Sequence, residues 1–241
     1  MRRALVGLLV AFQAGFGASG ALAAWGGSDP HSNFPARVPA VCFSAPQSKK
    51  CLQAGVHYLN LARAQLHQPS YQLPGDFITL SPVLQAFVLT NLDRRYYKLP
   101  SITGLTQELN RDAMAGVRAD ADPYQGDPGF INDPHFQYFT SNWAGGFPNI
   151  LFAYGSWMYD DGYHSPNGDC TSPHASGCWG HRHDILWKFP KEYTLTGPLA
   201  MGIAAGKDSS GQPGYAMLVG RGDRGYRPKY LYKWSQRKQW W

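Results

Sequence analysis

Two compact apolar runs late in the chain, LAMGIAAG (199–206) and YAMLVGRG (215–222), are separated by KDSSGQPG. Their length and the turn-forming residues between them predict an antiparallel hairpin. The periodic segments before residue 199 read as helical, so the hairpin has to find its cover among helices. In CLQAGVHYLNLARAQLHQ (51–68), Leu52, Val56, Leu59, Ala62 and Leu66 share one helical face, and Pro69 and the Pro-Gly at 74–75 stop the run. A second helix opens at Ser81-Pro82, an N-cap followed by proline at the first helical position. Leu84, Phe87, Val88 and Asn91 then align, and Lys98-Leu99-Pro100 breaks the helix. A third runs through LTQELNRDAMAGV, aligning Leu105, Leu109, Ala113 and Val117, and ILFAYGSWMY (150–159) predicts a short apolar one. Residues 120–149 read as irregular. Helices first and a hairpin last give an α+β class, or an αβα sandwich.

The first residues predict export. Arg2 and Arg3 precede the apolar stretch at 4–12, and a small-residue run ends in Ala21-Leu22-Ala23, a cleavage pattern. The glycines at 15, 17 and 20 dilute the segment below what a membrane span of about 20 apolar residues requires. A retained N-terminal anchor is the weaker alternative. The mature chain is expected to begin near Ala24 or Trp25. Four cysteines in an exported chain predict two disulfides with three possible pairings. The local pairing, Cys42–Cys51 and Cys170–Cys178, is favoured because each pair flanks a short, turn-rich loop.

Losing Arg2 and Arg3 with the leader leaves 20 basic against 16 acidic side chains, and that surplus is local. Arg221, Arg224, Arg227, Lys229, Lys233, Arg237 and Lys238 crowd the last stretch, interleaved with Tyr226, Tyr230, Tyr232, Trp234, Trp240 and Trp241. Such a segment, Arg221–Trp241, either contacts an anionic surface such as an envelope polymer or lipid headgroups, or packs its aromatics on the domain. Nothing in it specifies a nucleic-acid sequence.

GCWGHRHDIL (177–186) places His181, Arg182, His183 and Asp184 in succession. Together with Asn91-Leu92-Asp93-Arg94, Leu99-Pro100, Trp157-Met158, Gly180-His181-Arg182-His183-Asp184-Ile185-Leu186 and the two runs of the hairpin, it resembles the CAP superfamily in its bacterial form. That superfamily comprises the cysteine-rich secretory, antigen-five and pathogenesis-related proteins. The resemblance covers about residues 81–222, and its most specific segment is the Gly-His-Arg motif. It implies a three-layer αβα sandwich with a small antiparallel sheet and a cleft above it. The corresponding division is a signal peptide at 1–23, an N-terminal extension with one helix at 24–80, a CAP-like domain at 81–222 and a basic aromatic tail at 223–241.

In the family, the cleft gathers two histidines and two acids and can hold a divalent metal. His181 matches one histidine, Asp160 or Asp161 the acid after Trp157, and His135 is the nearest candidate for the second histidine. The usual Gly-Glu-Asn segment is replaced by Ser141-Asn142-Trp143, which removes a glutamate. The expected cleft therefore comprises His181, Asp160, Asp161, Trp157, His135 and Asn142, with His181 and His135 as candidate ligands for zinc or calcium.

Read as residues alone, His181 and His183 on a helix point about 200° apart and cannot chelate one ion. Arg182 and Asp184 read as a salt-bridged helix start, and Asp161–Cys170 reads as a tight turn or a calcium-loop fragment. No GxSxG nucleophile elbow accompanies Ser156 or Ser165. The expected function is a secreted, envelope-associated domain that binds a small molecule, lipid or partner in its cleft without chemistry. The alternatives are a hydrolase acting on wall or peptide bonds through His181 with Asp160 or Asp161, and an adhesive surface protein.

Overall fold

A computed structural model describes residues 27–124, 135–188 and 197–239, so the expected leader lies outside the described residues. The helices are α1 (Val41–Ser44), α2 (Lys49–Gln65), α3 (Pro82–Tyr96), α4 (Gln107–Ala119), α5 (Ile150–Tyr159) and α6 (Gly180–Ile185). The strands are β1 (Gly104–Thr106), β2 (Phe136–Gly145), β3 (Leu199–Lys207), β4 (Pro213–Gly222) and β5 (Tyr230–Lys233). Side-chain caps start the four longer helices: Ser48, Ser81, Thr106 and Asn149 accept from the N–H groups of Cys51, Leu84, Leu109 and Leu151.

The fold is α+β, with one five-stranded sheet in the order β2-β4-β3-β1-β5. The hairpin forms between β3 and β4, in register from Leu199↔Arg221 to Lys207↔Pro213. The sheet departs from the antiparallel expectation. β1 runs parallel to β3, with Gly104↔Ala200, because the chain between them passes through helices rather than a tight turn.

β3 explains its own composition. Leu199, Met201 and Ile203 join the main core, while Ala200 and Ala204 face α4 with Leu109, Ala113 and Val117. Between those alanines, a Cβ on Gly202 would stand 2.0 Å from the Leu109 carbonyl oxygen, so the helix can only approach a strand without a side chain there. β4 repeats the division, with Tyr215, Met217 and Val219 on one side and Ala216 and Leu218 on the other. Helices therefore cover both faces.

β2 falls in the segment read as irregular. Phe139 and Trp143 pack toward α4, while Asn142 and Ala144 lie on the opposite face. That second face carries polar residues at the positions that touch α6: Thr140 Oγ1 donates to the Asp184 carbonyl and Asn142 Nδ2 to that of His181. An alternation interrupted by threonine and asparagine gives no apolar signal.

α2, α3 and α5 meet around a buried carboxylate. Asp93 on α3 lies 2.5 Å from Arg63 Nη1 on α2 and accepts from the hydroxyls of Tyr71 and Tyr154, each at 2.6 Å. Tyr159 Oη is 2.9 Å from Tyr71 Oη, extending the network. The two local disulfides form, Cys42–Cys51 and Cys170–Cys178, with Cα separations of 5.1 and 4.3 Å. Part of the basic tail belongs to the sheet: β5 pairs with β1, and Trp234 is buried edge-on to Phe87 at 5.9 Å. Among the described residues, no helix is long and apolar enough to cross a membrane.

Removing one member of a buried ion pair strands the other charge, which costs about 3–5 kcal/mol. Asp93→Ala is expected to lower the free energy of urea unfolding by that amount, and a loss below about 1 kcal/mol would show that the network is dispensable.

Candidate functional site

The motif residues that look chemical divide into clamps and cleft. Asn91 grips Ile102 by both backbone groups, accepting from its N–H at 2.7 Å and donating to its carbonyl at 3.3 Å. This fixes the chain entering β1. Arg94, fully buried, donates to the carbonyls of Pro100, Ile185 and Trp187, so it satisfies the C-terminal end of α6. Burial, with Arg221 nearby, draws its guanidinium down to about 10. Arg182, also buried, donates to the Met158 carbonyl at 2.7 Å near the end of α5 and to Tyr97 Oη at 2.5 Å. It does not form the expected pair with Asp184: its partners are carbonyls and a hydroxyl. These three side chains are structural.

With α5 and α6 so tied, His181 meets Asp161. Its Nδ1 lies 2.6 Å from Asp161 Oδ1, and its backbone N–H donates to Asp161 Oδ2 at 3.0 Å. Its Nε2 is 3.6 Å from Asp122 Oδ1. Burial works to depress the imidazole, but the nearby carboxylates of Asp122 and Asp161, the latter hydrogen-bonded to Nδ1, outweigh it and push His181 up to about 10. Burial pulls the Asp161 carboxyl upward, opposed by His181 and by the N–H groups of Arg182 and His181. At 2.6 Å the pair is a carboxylate against an imidazolium, which raises His181, while the net upward shift of Asp161 comes from its burial. Asp184 completes the cluster. Burial raises it to about 8, opposed by His181 and reinforced by Asp122 and Asp161.

The pair borders a cleft of about 500 Å³ lined by Trp143, Phe147, Trp157, Tyr124, Asn167 and the acids Asp120, Asp122, Asp161 and Asp169. Of the expected residues, His181, Asp161 and Trp157 come together there. Trp157 donates its indole N–H to the Trp143 carbonyl at 2.9 Å. Asn142 lies beneath, holding the His181 carbonyl. Asp160 is buried outside the lining, where burial and Asp161 raise it to about 6. His135 sits at the far end of β2, stacked on Tyr226 at 4.4 Å and 3.9 Å from Asp223. Eight residue steps along the chain, the last seven of them within β2, separate it from Trp143, about 26 Å at 3.3 Å each. His181 and His135 therefore cannot share an ion. His183 turns away to Asp29 at 2.8 Å.

Among the described residues, no three His, Cys, Asp or Glu side chains are placed to hold a metal ion. In the 161–170 loop, Asn167 donates to the carbonyls of Asp161 and Gly177, so its amide closes a turn within the disulfide loop.

Sequence reading missed Asp120, Asp122, Tyr124, Trp143 and Asp169 in the cleft. The Asp-Ala-Asp-Pro at 120–123 was visible, but only the left-handed turn at Asp120 (φ 55°) after α4 aims it at α6. Comparison with family models, curated proteins and solved structures finds no match for this chain.

A histidine raised on folding contributes stability that is complete below its unfolded value of about 6.5 and lost as pH rises through about 10. His181→Gln can bridge Asp161 but never carries charge. Its stability deficit against the wild-type chain is expected to be largest near pH 6 and to shrink by pH 10 in urea titrations. A deficit constant across that range would remove the imidazolium.

Proposed function

We propose that this chain is an exported CAP-like domain, with the three-layer αβα architecture of that superfamily, that binds a small molecule or partner in its cleft without turning it over. The supporting observation is the His181–Asp161 ion pair on the cleft wall. The resemblance rests on the order of the motifs, and a cleft bordered by the Gly-His-Arg segment and the acid after Trp157 supports it. Two disulfides suit an oxidising compartment.

The same pair argues against hydrolysis. A general base works best with its pKa near the operating pH. An imidazole pushed up to about 10 already holds its proton at neutrality. Its contacts are the carboxylates of Asp161 and Asp122 rather than a hydroxyl or thiol nucleophile. The hydrolase reading retains one favourable feature, the orientation of an imidazole by Asp161, which is how a base is held in many triads.

Envelope association through the exposed cations around Arg227 and Lys229 is part of the proposal. Deleting the tail is not a clean test, since β5 completes the sheet. Arg227→Gln with Lys229→Gln is expected to weaken cosedimentation with anionic vesicles at about 0.15 M salt, where screening already limits exposed charges to about 8 Å. Equal cosedimentation of both proteins would remove the tether.

The catalytic question is settled by incubating the mature chain with wall glycopeptides and reporter peptides at pH 7. No cleavage above the level of His181→Ala is expected. Cleavage that disappears in His181→Ala would replace the binding reading with the hydrolase one.

A further inference from the structure

Resting on the cleft-binding reading, we propose that the cleft selects small organic cations, ligands carrying an alkylammonium, quaternary ammonium or guanidinium group. The chain as a whole has a formal charge of +6, yet Asp120, Asp122, Asp161 and Asp169 line the cleft and, among the described residues, no Lys or Arg does. Its one cationic lining residue, His181, is already held between Asp161 at 2.6 Å and Asp122 at 3.6 Å. Asp120 is tied to the backbone N–H and hydroxyl of Ser209. One imidazolium among four carboxylates leaves the cleft negative.

The walls supply an independent argument. Trp143, Trp157, Phe147 and Tyr124 bring aromatic surface to the same space, and Tyr124 is 61% exposed. An aromatic face attracts a cation within about 6 Å of its centroid. An anion would meet several carboxylates. A neutral apolar ligand would strip water from carboxylates without replacing it. Only a cation with an apolar body gains from both the acids and the rings. A volume of about 500 Å³ accommodates such a ligand whole.

The test uses the mature chain and three probes of matched shape: choline, its neutral carbon analogue 3,3-dimethylbutan-1-ol, and 3,3-dimethylbutanoate. The indole N–H resonances of Trp143 and Trp157 are the readout. Choline is expected to shift them with a Kd at least about tenfold below that of the neutral analogue, with no response to the carboxylate. Asp122→Asn, on the loop after α4, is expected to weaken choline about tenfold and leave the neutral analogue unchanged. Butylammonium and methylguanidinium then separate the headgroups. Tighter methylguanidinium binding assigns recognition to the carboxylates, tighter choline binding assigns it to the rings, and either supports the proposal. Equal binding of the neutral analogue or the carboxylate overturns charge selection and leaves cleft binding standing. No shift with any probe overturns both.

Discussion

Asp93 is a carboxylate with no water around it, and the rest of the helical layer is arranged to make that tolerable. A lone buried carboxylate costs several kcal/mol, so it persists only where its lone pairs are all engaged. Here Arg63 comes from α2, Tyr154 from α5 and Tyr71 from the stretch between α2 and α3. Each donor fixes its own element relative to α3. Tyr159, one step further along the network, stands immediately before Asp160 and Asp161. The placement of Asp161 is thus inherited from a charge two helices away.

The second half of the site is set by arginines acting as caps. Helix ends leave carbonyls without partners, and buried ends need donors. Arg182 serves Met158 near the end of α5, and Arg94 serves Ile185 and Trp187 at the end of α6. Arg94 sits on the helix that carries Asp93, so one turn of α3 anchors both sides of the dyad. Among the residues that resemble a family signature, Asn91, Arg94 and Arg182 are the mortar. His181, Asp161 and Trp157 are the ones that face the cleft.

The sequence showed the elements whose physics is local. Helical periodicity in 52–66, the Ser81-Pro82 start and the apolar runs of the hairpin each encode their structure over a few residues, and all three appear where expected. It hid elements whose reasons are distant. β1, three residues long, exists because β3 and β5 flank it, and β5 exists because Trp234 has a place beside Phe87. β2 was concealed by Thr140 and Asn142, polar residues chosen for α6's carbonyls. The cleft was half legible: His181 and Asp161 sit in recognisable segments, whereas Asp122 and Trp143 arrive from loops and strands with no mark of their own. His135 was misplaced for the same reason, since a strand unseen in sequence carries it away.

The sheet order gives the molecule a charge geometry that composition alone conceals. The cleft's Trp143 and Gly145 belong to β2 at one edge, and Lys233 belongs to β5 at the other. Four strand spacings of about 4.8 Å separate those edges, roughly 19 Å. That exceeds the Debye length of about 8 Å at physiological salt. Lys233 therefore neither neutralises the cleft nor repels a ligand from it. Arg221, on β4 opposite Tyr138, is likewise five strand residues from Trp143, about 16 Å, so an acidic pocket coexists with basic residues elsewhere on the same sheet.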